Sequence, residues 1–470
     1  MKRVLGVVSL VTVALFAAHP GRVSQSDARL KGSFRRPVQN GWIYVHLEGT
    51  PAQIGFQHGY LLAPEIEDMM RVTKLTLTHE NQKSYAFFRD AAQNVFWPKV
   101  EQQYRDEMQG IADGLKAHGS SLDVVDVVLL NASMEMAPYY IDYWDKQHGI
   151  VHKSKPAPEH CSAFVATGSF THDGKIVMAH NNWTEYAEGE RDNVVFDIVP
   201  SAGHRILMDG APGFIDSGDD FGMNDAGIVI TETTIGYFSA FDPAGIPEFV
   251  RGRKAMQYAT SLDEFASIMK DGNNGGYANS WLIADVKTNE IGRLELGLKH
   301  VTYDKKNDGY FVGSNFPENP DLIHDETPDY PEHDMSISSN ARHARWEQLM
   351  AENKGRIDVA MAQQFMADHY DSFEHKANAP SERTLDGHID LSARGSEPWQ
   401  PPYGIAGAVQ NKVADAAMVT RMELSAHMGH ACGLNFVAAD HLREHKQFAW
   451  EKKMLTDMDA GAWTVFGVAR

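Results

Sequence analysis

The stretch 156–184, P-A-P-E-H-C-S-A-F-V-A-T-G-S-F-T-H-D-G-K-I-V-M-A-H-N-N-W-T, constrains this chain more than any other. It opens as a polar, proline-bearing loop and reaches Cys161. Two strand-like runs follow, 162–169 and 175–179, joined through Thr171-His172-Asp173-Gly174. Asp-Gly between apolar runs is a hairpin signal, because tight hairpin turns need residues that tolerate positive φ. The second run ends by presenting His180, Asn181, Asn182 and Trp183. A thiol thus begins one strand and a polar cluster ends its neighbour. That arrangement can set a nucleophile and its helpers along one sheet edge.

The rest of the chain has to supply a core around that hairpin. Its 470 residues suffice for one large core or two moderate ones. With 43% hydrophobic and 23% charged residues the composition is globular. A net charge of −20 argues against nucleic-acid and anionic-membrane partners, which select basic surfaces. Beyond the N-terminus no apolar run approaches the ~18 residues a spanning helix needs. At the N-terminus, Lys2 and Arg3 precede an apolar run at 4–18, and a polar stretch follows through Arg36. Residues 1–18 read as an export signal, with an uncleaved anchor as the competing reading. The expected compartment is periplasmic or secreted, with no integral span once the signal is removed.

Export makes the cysteine count informative, because Cys161 and Cys432 are the chain's two cysteines. Two cysteines are no disulfide framework. Either they form one Cys161–Cys432 bridge or Cys161 is a free reactive thiol. The two states exclude one another in an active enzyme.

Residues 41–48 alternate as a strand, and Gly49-Thr50-Pro51, Gly55, His58 and Gly59 open a helical stretch suited to close packing. His58 reads as a structural histidine. Val100, Tyr104, Met108, Ile111 and Leu115 mark one face of an amphipathic helix stopped by Gly119, and a second helix starts near Ser121. The part before residue 145 is therefore mainly helical, and 146–160 is an exposed loop whose histidines 148, 152 and 160 are too irregular for a metal site. After Cys161 strands are expected at 193–199, 204–208, 227–234, 279–286, 291–296 and 310–312. Ser261-Leu262-Asp263-Glu264 has the capping-box pattern of a helix start. The final third reads as helices at 341–353 and 358–371 with loops, and a last strand or loop carries Cys432.

A thiol at a strand start behind a cuttable loop points to an N-terminal nucleophile. Cleavage between His160 and Cys161 would give Cys161 a free α-amine, whose ordinary pKa lies just below that of a thiol. The amine can then take the thiol proton, and no separate histidine is required. Asn279, preceded by Gly275-Gly276-Tyr277, is a candidate oxyanion donor. Arg293, with Glu295 on the same strand face, can orient substrate or serve as a structural ion pair. Asp219 and Asp220 are adjacent, so on a strand they point to opposite faces. His427, His430 and Cys432 form H-x-x-H-x-C, which without a second cluster falls short of a zinc signature. No metal or organic cofactor is required by this chemistry.

Several segments resemble the phospholipase B-like proteins. They are Cys161-Ser162-Ala163 with His180-Asn181-Asn182-Trp183, the run 212–221, Thr231-Glu232-Thr233-Thr234-Ile235, Asn279-Ser280-Trp281 and the run 380–388. The pattern Gly49-Thr50-Pro51, Gly55, His58-Gly59 is similar to the related penicillin acyltransferase-type cysteine family. Together the motifs cover about 41–440 in a shared order. The resemblance implies an α+β, four-layer αββα N-terminal-nucleophile hydrolase fold, with two stacked antiparallel sheets between helical layers. It implies a proenzyme that cuts itself before Cys161, with His180 and Trp183 lining the nucleophile's pocket and Asn279 serving the oxyanion. It also implies acyl transfer to water from an amide or ester. The penicillin acyltransferase-type relatives often carry Arg or Asp near 180–184, where this chain has His-Asn-Asn-Trp-Thr, so the residue holding the amine is unassigned.

The expected organisation is a signal at 1–18, a mainly helical part at 37–160 and a catalytic part at 161–470, the processed chains staying associated in one unit. The expected substrate is a small-molecule or lipid acyl compound, with Cys161, His180 and Asn279 catalytic. Trp183, Asn182, Arg293 and Asp220 are the expected substrate contacts. Two alternatives remain open: an unprocessed Cys161–His180 thiol hydrolase, and a non-catalytic exported binding protein with bridged cysteines.

Overall fold

Fifteen strands fall into two sheets in the computed structural model, which describes residues 27–150, 161–218, 221–327, 329–395 and 400–469. In chain order they are β1 (Phe34–Arg35), β2 (Ile43–Gly49), β3 (Ser162–Thr167), β4 (Val177–Glu185), β5 (Val194–Pro200), β6 (Ile206–Gly210), β7 (Phe221–Asn224) and β8 (Ile228–Thr234). There follow β9 (Asn279–Asp285), β10 (Glu290–Leu296), β11 (Val301–Lys306), β12 (Gly309–Gly313), β13 (Ala406–Asp415), β14 (Glu423–Met428) and β15 (Thr464–Gly467). One sheet has the order β1-β2-β5-β6-β7-β8-β9-β10-β11, the other β12-β3-β4-β13-β14-β15. Neighbours are antiparallel except β2 and β5, which run parallel with Ile43 beside Val194. This pair corrects the expectation of two wholly antiparallel sheets. The helices and the β3–β4 hairpin between β2 and β5 give a connection long enough for a parallel return.

The two-residue period of each strand sorts side chains into layers. Ala163 and Val165 of β3 and Met178 of β4 fill the space between the sheets, against Leu207, Val229 and Leu282. From the other face of the same strands, Phe164 and Ala179 pack on Trp346 and Phe365 of helices Ser338–Glu352 and Val359–Met366. The nine-stranded sheet turns Val45, Phe196, Ile230 and Ile283 outward onto helices that include Pro51–Leu61, Gln102–His118 and Val124–Glu135. The architecture is α+β, with helices outside both sheets. Among the described residues no helix is long and apolar enough to cross a membrane.

Local signals hold well in the N-terminal half. Helix Gln102–His118 buries Tyr104, Met108, Ile111 and Leu115, and Gly119 ends it at φ 106°, where a Cβ would be strained. Gly55 and Gly59 do bring two helices together. A Cβ on Gly59 would stand 2.0 Å from the Ile111 carbonyl oxygen, and one on Gly114 would stand 2.3 Å from that of Phe56. His58 is structural: its Nε2 accepts from the Gly213 backbone N–H at 2.9 Å, and burial, then Arg253, hold its pKa down to about 3.

Three expectations are corrected. The strand expected to stop at residue 179 runs on to Glu185, so His180 and Asn182 share one face while Asn181 and Trp183 take the other. The final third carries three strands, β13, β14 and β15, besides its helices. β13 reads A-G-A-V-Q-N-K-V-A-D and is buried almost throughout. It was missed because its polar residues are satisfied through space: Asn181 Nδ2 donates to Asn411 Oδ1 at 2.7 Å, and Lys412 Nζ lies 2.6 Å from Asp209. Thirdly, Cys161 and Cys432 are both free, which removes the bridged-cysteine reading.

Candidate active site

Cys161 sits directly before β3, buried, with φ 81°. A non-glycine residue in the left-handed region costs roughly 1–3 kcal/mol and persists where its surroundings hold it. Two contacts hold this one. On β4, Asn181 lies opposite Ser162, which brings Asn182 beside Cys161, and the Cys161 Sγ–H donates to Asn182 Oδ1 at 3.6 Å. From the outer helix layer, Arg342 Nη1 donates to the Cys161 carbonyl oxygen.

Arg342 is fully buried and organises the surroundings. Its Nε donates to Ser338 Oγ one turn earlier (2.9 Å), its Nη1 to Ser162 Oγ (3.2 Å) and its Nη2 to Asn315 Oδ1 (2.9 Å). Its guanidinium lies 4.4 Å from the centre of the Trp183 ring, a cation–π arrangement. Asn315 in turn donates from Nδ2 to the Thr234 carbonyl at 2.7 Å, so the chain of contacts crosses from one sheet to the other. Sequence reasoning missed Arg342 and Asn315. One signal was present: Ser338, Arg342 and Trp346 recur at helical spacing, which puts an arginine on the face that carries a buried tryptophan.

His180 lies opposite Ala163 on β3 and Lys412 on β13. It is fully buried, and among the described residues neither ring nitrogen has a hydrogen-bond partner. Burial, then the positive charge of Lys412, hold its pKa well below the ordinary imidazole value, so it is neutral. The thiol's hydrogen bond goes to Asn182 and not to this ring. Asn279 begins β9 opposite Thr234, fully buried, and among the described residues neither amide atom has a partner. Arg293 on β10 pairs with Glu318 at 2.7 Å and Asp304 at 3.4 Å. It does not line the cavity described next. His160 and Asp220 lie outside the described residues, as do Asp219 and the 1–18 segment.

Asn182 and Trp183 form part of the wall of a cavity of about 570 Å³. Thr234 also lines it, buried, its hydroxyl without a partner among the described residues. Met69, Leu77, Phe214, Ile405 and Phe448 give the cavity an apolar lining. The wall also carries Glu185, Glu188 and Glu451. Burial, then the nearby carboxylates Glu185 and Asp192, push the Glu188 carboxyl up to about 8. Burial, then Glu185, push that of Glu451 up to about 8 as well. A volume of this size suits a small molecule or one acyl chain. The arrangement therefore offers an acyl compound an apolar wall that carries Asn182, the hydrogen-bond partner of the buried Cys161 thiol, and the Thr234 hydroxyl.

A family model described as phospholipase B matches residues 54–467. An uncharacterised protein of Archaeoglobus fulgidus is 27% identical over 292 residues, 57% of this chain and 44% of that protein. Phospholipase B-like protein C of Dictyostelium discoideum is 26% identical over 212 residues, 40% of this chain and 37% of the relative. Phospholipase B-like 1 of Bos taurus is 24% identical over 268 residues, 50% of this chain and 48% of the relative. The match thus spans less than half the length of each of these relatives.

Proposed function

This chain belongs to the phospholipase B family, and from that premise we propose that it is an exported, self-processing cysteine hydrolase that cleaves an acyl amide or ester. The observation that carries the reading is Cys161 itself: a buried thiol beside the cavity-wall residue Asn182, in a left-handed backbone conformation, with its carbonyl held by Arg342. The order helices, sheet, sheet, helices supports an N-terminal-nucleophile hydrolase fold.

Cleavage of the bond before Cys161 frees an α-amine beside the thiol. The amine takes the thiol proton, and the thiolate attacks the acyl carbonyl. Asn279, with both amide atoms unpartnered, donates to the oxyanion that forms. The carbon–sulfur bond forms, the bond to nitrogen or oxygen breaks, and the leaving group takes the proton from the ammonium. Water then attacks the thioester, giving its proton to the amine, and releases the acid with the thiol restored. His180 stays a neutral buried residue in this scheme, and the thiol's hydrogen bond to Asn182 is the reason to prefer it over the Cys161–His180 dyad.

The test is intact mass and N-terminal sequencing of purified wild type beside Cys161→Ala, with acyl release measured on amide and ester panels. Two wild-type fragments, one beginning at Cys161, and a whole inactive variant are expected. A variant that matures to the same fragments overturns the reading.

A further inference from the structure

Away from the thiol, three segments distant in sequence converge on one small volume. His369 follows helix Val359–Met366, Asp386 and His388 come just before the short turn Ile389–Leu391, and Cys432 follows β14. One potential ligand atom from each of the four lies within 4.8 Å of every other. His369 Nε2 is 3.1 Å from Asp386 Oδ2, His388 Nε2 is 3.6 Å from the same oxygen, and Cys432 Sγ is 3.6 Å from His388 Nε2. A tetrahedral zinc site with bonds of about 2.0–2.3 Å separates its ligand atoms by about 3.3–3.8 Å. We propose that His369, Asp386, His388 and Cys432 form a structural binding site for a zinc-like divalent metal ion.

The surroundings point the same way independently of those distances. The second Asp386 oxygen faces His430 Nδ1 at 3.4 Å, and His430 Nε2 is 3.0 Å from the Tyr186 hydroxyl. That hydroxyl donates to Asp390 Oδ1 at 2.7 Å. The His430 ring stacks on the His388 ring at 3.8 Å, and Asp390 Oδ1 also lies 3.8 Å from His388 Nδ1. Carboxylate and imidazole partners behind the ligands are what orient a metal-binding set. Asp386, His388 and His430 are almost completely buried, so this is no fortuitous surface cluster. Two imidazoles, a carboxylate and a thiol match zinc in ligand softness and number. Four protein ligands close the coordination, which makes the ion a structural one.

The site has something to hold. Leu385 next to Asp386 accepts from Trp183 Nε1 at 3.3 Å, and a Cβ on Gly387 would stand 2.2 Å from the Trp183 ring. Trp183 lies against Arg342, which holds the Cys161 carbonyl. A metal here clamps the 383–388 segment and, through Trp183, the wall beside the nucleophile. The hydrolysis needs no metal, so this site serves the fold and stands whether or not Cys161 is the nucleophile. His427 of the H-x-x-H-x-C motif is not part of it: its ring lies beside Trp463.

The test is equilibrium dialysis of the full chain against zinc, followed by metal analysis, and cobalt substitution read by absorption. A single tightly held ion is expected in wild type and in His427→Gln, with loss in Cys432→Ser and His369→Gln. His430→Gln should weaken binding about 10–100-fold. The cobalt form should show a thiolate-to-cobalt charge-transfer band that survives Cys161→Ala and disappears in Cys432→Ser. A wild-type chain that binds no stoichiometric metal overturns the proposal, as does loss of zinc in His427→Gln. Should the ligand variants fail to fold, the Cys161→Ala spectrum decides alone, because Cys432 is then the remaining cysteine. Absence of the thiolate band there overturns the assignment.

Discussion

Cys161 and Cys432 are the same residue type in opposite surroundings. Cys161 faces an uncharged amide, and its own backbone carbonyl takes the nearby arginine. Cys432 lies among a carboxylate and imidazoles, and as a bare thiol it is pushed up to about 12, first by burial and then by Asp386. A thiol of that kind is a poor nucleophile in water at neutral pH. The lesson is that a cysteine's chemistry is written in its neighbours: the surroundings of Cys161 suit the proposed nucleophile, and those of Cys432 suit sulfur held in a cluster of potential ligands.

Four measurements break or sharpen that contrast. The largest effect is expected from Cys161→Ala, which should lower acyl release by about 10⁴–10⁶-fold, as loss of a nucleophile does. A variant retaining activity that Cys432→Ala abolishes would invert the roles of the two sulfurs. Next, Asn279→Ala should lower kcat by about 10²–10³-fold, the usual cost of losing an oxyanion donor. Urea melts should leave its stability near wild type, since the amide has no partner to lose. Arg342→Met removes the guanidinium that donates to the buried Cys161 carbonyl, Ser162 and Asn315, and should cost about 1–3 kcal/mol in urea unfolding. Arg345→Met, which breaks the partly exposed pair with Asp368, should cost less.

The smallest effect concerns the carboxyl groups on the wall of the cavity beside Asn182. Glu188 on that wall titrates near 8 in the folded protein, above its ordinary value. A raised carboxyl contributes stability that is fully present below the unfolded value, near 4.5, and is lost as pH rises through about 8. Glu188→Gln should therefore flatten the fall in melting temperature between about pH 5 and 8. An unchanged pH profile would mean that Glu188 is ionised as an ordinary surface carboxylate.

Legibility followed the range of the interaction. The stripe on helix Gln102–His118, its Gly119 stop and the β3–β4 hairpin depend on residues a few positions apart, and each was readable. The close packing of Gly55 and Gly59 was anticipated because only a residue without a side chain permits backbone contact there. Cys161 stood out by its place before a strand. β13 did not stand out, since its Gln410, Asn411 and Lys412 break any apolar alternation; Gln410 donates to the Gly189 carbonyl, and Asn411 and Lys412 find partners on β4, on β14's flank and on β6. Arg342 is one of two arginines in its helix until its guanidinium is seen to reach Cys161, Ser162 and Asn315.

The sequence by itself determined most of the strand and helix types, the candidate nucleophile and the phospholipase B family. These rest on composition, short spacings and an ordered set of motifs. The tertiary structure decided which side chains meet. It put Asn182 rather than His180 against the thiol, left Arg293 in an ion pair, and drew His369, Asp386, His388 and Cys432 together. The physical reason is that a one-residue step along a strand reverses the face a side chain occupies. Contacts between residues far apart in the chain therefore depend on register and layer packing, which no local spacing encodes.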